Sequence, residues 1–214
     1  MPKSRLFCTS ALRSASFRSA VAFGAALASV APAYAHLDPA EHGSFAAGFS
    51  HPLFGTDHIL AMVAVGLWAS LLAAGADRRA LWFVPAAFVG TMLAGFLAAM
   101  AGTSLPFVEP VILASIVVIG LLAAVALNIP VPAAMAMVGF FAFFHGHAHG
   151  GEIGEAGAGT YAAGFALATA LLHAAGIGFG LLLGRMLGGR AGRRLTQAAG
   201  AVTAFGGLWL AFAG

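Results

Sequence analysis

Two short stretches hold most of the side chains in this sequence that could bind a metal ion. They are HPLFGTDH, from His51 to His58, and FHGHAHGGE, from Phe144 to Glu152. Imidazoles interleaved with carboxylates suit a divalent transition-metal ion such as Ni²⁺, Co²⁺, Zn²⁺ or Cu²⁺. On an unbroken helix His51 and His58 share a face but stand about 10 Å apart along the axis, too far to hold one ion together. Either they serve two positions or the helix is broken, and Pro52 and Gly55 supply the means of breaking it. Asp57 brings a formal charge whose insertion at a membrane centre costs about 2.5–3.5 kcal/mol, so something must compensate it. In the second stretch His145 and His149 stand at i and i+4, and Glu152 follows three residues later. A continuing helix puts all three on one face, where imidazoles at that spacing can chelate one ion. His147 points the other way unless Gly146 or Gly150 unwinds the turn.

The elements that position these groups are set by the solvent. Hydrophobic residues make up 61% of the chain and charged residues only 8%, and mean hydropathy is +0.95, which describes a protein dissolved in lipid. The first 35 residues carry Lys3, Arg5, Arg13 and Arg18 with no acid, then an apolar run, then Ala33-Tyr34-Ala35. This pattern predicts a cleavable signal peptide over 1–35 and a mature domain over 36–214. Six arginines then face seven acids, so the basic balance of the whole chain belongs to the export signal and implies no nucleic-acid partner. Cys8, the only cysteine, leaves with the signal, so thiolate ligands are excluded from the mature protein.

The mature sequence reads as an all-α, polytopic membrane protein of six transmembrane helices. They are expected at about Leu53 to Ala74, Ala80 to Ala101, Pro110 to Leu127, Ala133 to His149, Thr160 to Leu187 and Leu195 to Phe212. Arg78 and Arg79 lie in the first loop and Arg185, Arg190, Arg193 and Arg194 in or near the fifth, which places both loops in the cytoplasm and both mature termini outside. Both histidine motifs then fall at the outer mouth. His36 and His42, with Asp38 and Glu41, join them there from the exported N-terminal segment, so a cation site is expected from several helices at one depth. Two polar groups are less decisive. Glu109, before Pro110, reads as a carboxylate at a positive helix end more readily than as a ligand. His173, in mid-helix, is either a hydrogen-bonded structural histidine or a station on an ion path.

HPLFGTDHILAMVAVGLWA resembles the first-helix signature of the HupE/UreJ family of hydrogenase- and urease-associated nickel permeases. FHGHAHGGE resembles that family's second signature, with its Phe-His-Gly, Ala-His-Gly and Glu in order. The resemblance covers the mature chain. It implies secondary transport of Ni²⁺, with Co²⁺ as a second cargo, across the inner membrane to supply a metalloenzyme. It carries His51, Asp57, His58, His145, His149 and Glu152 over as metal-site residues, while His147 falls on a variable position. No permanently bound cofactor is expected, and with no P-loop present ATP does not drive the flux directly. A competing class, an intramembrane zinc-dependent hydrolase, would use the same ligands with an open water position.

Overall fold

The computed structural model describes residues 44–75, 77–151, 153 and 157–213. The expected signal peptide, His36, His42 and Glu152 lie outside these residues. Seven helices and no strand are found among the described residues: α1 Phe45–Phe54, α2 Thr56–Gly75, α3 Ala80–Met100, α4 Val108–Ala124, α5 Val131–Gly150, α6 Ala158–Leu187 and α7 Gly189–Ala213. Five of them, α2, α3, α5, α6 and α7, are long and apolar enough to cross a membrane. Such runs become helices because lipid offers the backbone no partner and a helix satisfies it internally.

Three features differ from the expected segments. First, α1 is an additional short helix. Ser44 caps it by accepting from the Ala47 N–H at 3.0 Å, and it runs through Pro52 before Gly55 stops it. Gly55 is extended, with φ −78° and ψ 113°, and α2 restarts at Thr56. Of the two options left open by the spacing, the broken helix is the one observed. Second, α4 has 17 residues, or roughly 26 Å of rise against a hydrocarbon core of about 30 Å, so its length falls short of a full span. Its C-terminal end comes early because Ala126 takes a left-handed conformation, φ 47°, just before Asn128-Ile129-Pro130. Third, α7 begins at Gly189 and takes in Arg190, Arg193 and Arg194, since arginine is a good helix former even where it halts an apolar run.

The helices run alternately up and down, so the start of α2, the end of α5 and the start of α6 share one end of the bundle. The Arg78–Arg79 turn and the α6–α7 junction share the other. The side chains buried most deeply between them include Trp68, Phe88, Phe96, Phe165, Met62 and Met92. Trp68 donates its indole N–H to the Leu127 carbonyl at 2.9 Å, tying α2 to the α4–α5 connection at the arginine end. Close helix contact is made through glycines. The backbone of α3 passes so near Gly146 of α5 that a Cβ there would collide with the Met92 carbonyl. Trp82, Phe205, Trp209 and Phe212 point outward, as side chains facing lipid should.

Candidate metal centre

The break at Gly55 is what assembles the site. It swings α1 away from the axis of α2, so His51 at the end of α1 returns toward His58 in the first turn of α2, with ring centroids 5.0 Å apart. His149, in the last turn of α5, completes the group, at 4.3 Å from the His51 ring and 4.9 Å from that of His58. Each of the three imidazoles offers a nitrogen, and these nitrogens lie within 4.8 Å of one another. His58 and His149 are buried and His51 is half-buried, so the cluster is closed on the protein side and approached past His51. A side chain at residue 55 would meet His58 Nδ1 and Asp57 Oδ1 at 2.8 and 2.9 Å, so the glycine that breaks the helix also makes room for the site.

The proton positions follow from the acceptors. His58 Nδ1 lies 2.9 Å from Asp57 Oδ2, at ion-pair distance although off the line of a good hydrogen bond. A carboxylate can only accept, which puts the His58 proton on Nδ1 and leaves a lone pair on Nε2. That lone pair accepts from Nε2–H of His149 at 2.8 Å. Asp57 therefore stands behind His58 and orients it, the carboxylate–histidine arrangement that raises the basicity of a metal-ligating imidazole. Three converging imidazoles suit a borderline divalent ion better than Ca²⁺ or Mg²⁺, which take oxygen.

The remaining expected residues sort around this cluster. His145 is fully buried beneath it, its ring 5.6 Å from that of His58, but its Nε2 bonds to Ser115 Oγ at 2.9 Å and not to the other imidazoles. His147 turns away and bonds through Nε2 to the Thr103 carbonyl at 2.7 Å, holding the α3–α4 connection to the end of α5. Glu109 is exposed in the first turn of α4, where the helix dipole favours a carboxylate. His173 is buried alone in mid-helix, its ring 5.0 Å from that of Phe88. Two contributors carried no signal in the sequence. Ser115 looks like one more small residue in an apolar helix. Phe165, whose ring lies 6.2, 6.1 and 5.0 Å from those of His51, His58 and His149, looks like ordinary lipid-helix packing.

The profile of the family described as HupE / UreJ protein matches residues 24–210. The chain belongs to the HupE/UreJ family. It is 44% identical over 187 residues to Protein HupE of Rhizobium leguminosarum bv. viciae, covering 87% of this chain and 93% of that protein. No solved structure matches. A HupE/UreJ chain with several membrane-spanning helices is a multi-pass membrane protein, and in this one His51, Asp57 and His58 of the first signature and His145 and His149 of the second lie at one end of the helical bundle.

Proposed function

We propose that this HupE/UreJ protein is a secondary transporter that takes up Ni²⁺, with Co²⁺ as a second cargo, across the inner membrane to supply a metalloenzyme. Its histidine end faces outward. The observation that carries the reading is the meeting of His51, His58 and His149 from three helices, with three nitrogens within 4.8 Å at the head of a membrane bundle. The nickel preference rests on the family, since imidazole ligands alone favour Cu²⁺ by intrinsic affinity.

In this mechanism the hydrated ion arrives at His51, the most accessible of the three. It exchanges waters for His51 and His58, while Asp57 holds the His58 lone pair toward it. Joining His149 requires breaking its 2.8 Å hydrogen bond to His58, with the His149 proton carried on Nδ1 so that Nε2 can face the ion. Glu152, two residues past the end of α5 in the sequence, is a further acid that the family signature carries over. Binding must stay moderate for the ion to leave again. The sign of the pH effect follows. Only neutral imidazole binds metal, so affinity is full above the reference histidine pKa of about 6.5 and falls as the pH drops from about 7 to 5.

The test is radioactive Ni²⁺ uptake by cells expressing the full chain, with Co²⁺, Zn²⁺ and Cu²⁺ as competitors. His58→Ala and His149→Ala reduce uptake to background at unchanged abundance in the membrane. Uptake that survives both substitutions, or Ni²⁺ affinity of the purified protein that stays flat from about pH 7 to 5, overturns the proposal.

A further inference from the structure

Below the three-histidine cluster the bundle contains ligand atoms that capture at the mouth does not use. His173 is 1% exposed, and neither ring nitrogen has a hydrogen-bond partner among the described residues. A neutral imidazole carries one donor and one acceptor, and a histidine kept only for packing would have at least one of them satisfied. Thr169 stands one turn earlier than His173 on the same face of α6. Thr169 is completely buried and donates its hydroxyl to the Met92 sulfur at 3.7 Å across the interface with α3. Met92 stands one turn beyond Phe88, whose ring packs against both His173 at 5.0 Å and His145 at 5.7 Å. A nitrogen, a thioether and a hydroxyl thus share one buried neighbourhood that contains no carboxylate.

His145 stands between this neighbourhood and the mouth. The Ser115 hydroxyl donates to the Ile112 carbonyl at 2.6 Å, so its oxygen must accept the bond from His145. That fixes the His145 proton on Nε2 and leaves Nδ1 a bare lone pair, buried and without a partner among the described residues. Its ring is 5.6 Å from His58 on one side and 5.7 Å from Phe88 on the other. From Phe165, which touches the mouth, to His173 the chain advances about 12 Å along α6.

We propose that His173, with the Met92 thioether and the Thr169 hydroxyl, is a second and weaker station for a divalent transition-metal ion, reached from the mouth past the lone pair of His145. It rests on the mouth being the capture site. The donor set is neutral and partly soft, so it accepts a borderline d-block ion and rejects Ca²⁺ and Mg²⁺. Without a carboxylate it holds the ion less tightly than the Asp57-backed mouth, as an intermediate step of conduction requires.

The experiment uses full-length protein in detergent and Ni²⁺ as the probe, titrated calorimetrically. The combined variant His51→Ala, His149→Ala removes the mouth and leaves one weak Ni²⁺ site per chain. Adding His173→Ala, or separately Met92→Leu, which preserves packing volume, weakens that remaining site by about tenfold or more. In vesicles His173→Ala alone slows Ni²⁺ uptake by about tenfold while the tight site titrates as in the unmodified protein. Residual binding that ignores both His173→Ala and Met92→Leu overturns the inner station, as does its absence from the mouth variant. Failure of the mouth reading has a different signature: the His51→Ala, His149→Ala protein would then bind tightly and transport like the unmodified chain.

Discussion

The two ends of this bundle solve the same problem, ending apolar helices at a membrane boundary, in opposite ways. At the arginine end the polar groups are solvated. Arg79 closes on Asp77 through contacts of 3.1 to 3.2 Å, its side chain 76% exposed, beside an open cavity of about 430 Å³ that Asn128 and Pro130 also line. The Arg79 hydrogen bonds hold the Asp77 carboxyl below its ordinary range, but the pair lies in water, where such contacts contribute little. At the histidine end the polar groups are drawn inside. His58, His145 and His149 are buried, and backbone-to-backbone packing at Gly95, Gly146 and Gly150 holds α5, which carries the last two, against α3. A polar group costs most where water cannot reach it, so the end where the chain bears that cost is the end with a task. In the proposed function the arginines set orientation and the histidines carry the chemistry.

Substitutions can break this contrast, and the largest effect is expected from packing. Gly146→Ala drives a methyl group onto the Met92 carbonyl and forces α3 and α5 apart, so little monodisperse protein should be recovered after detergent extraction. Gly184→Ala, toward the arginine end, meets nothing within 4 Å and should leave the yield unchanged. Next comes Asp57→Asn. It keeps the size of the side chain but loses the charge that orients His58, and Ni²⁺ affinity should fall by about 10–100-fold with the protein still folded, as for other groups behind a metal ligand. Calorimetry on the purified variant measures it. A smaller effect is expected from His147→Ala, which frees the Thr103 carbonyl without touching the cluster. Uptake should drop by no more than about threefold, so a loss as deep as that of His149→Ala would place His147 in the site. Least of all should follow from Asp77→Asn. An acid held below its usual range stabilises the fold above that range and loses the contribution as pH falls through it. At this exposure, however, the melting temperature near pH 7 should not move measurably.

How far the sequence could be read follows from what each signal encodes. Long apolar runs specify helices because lipid leaves the backbone no alternative, and the cores of all six expected segments are helical. The short α1 was not legible. FAAGFSHPLF is short, contains a proline and runs straight into the next apolar stretch, so its N-terminal cap at Ser44 was hidden in what read as an exported segment. Spacing reports which residues share a face of one helix, but not where two helices cross. His58 and His149 are 91 residues apart and bond directly, whereas His145 and His149, one turn apart, part company because Ser115 on a third helix holds His145. The break between His51 and His58 could be stated only as one of two options, since Pro52 and Gly55 permit a kink without requiring one.

The central claim is that three imidazoles from three helices bind one ion, and X-ray absorption spectroscopy of the Ni²⁺-loaded, purified full-length protein addresses it most directly. Near neutral pH, with Ni²⁺ below one equivalent so that only the tight site fills, the spectrum should show multiple scattering from three imidazole rings per ion. His51→Ala should reduce that number to two while some binding remains. A shell of oxygen ligands with no imidazole scattering, or a three-imidazole signal that persists in the His51→Ala, His149→Ala protein, would contradict it.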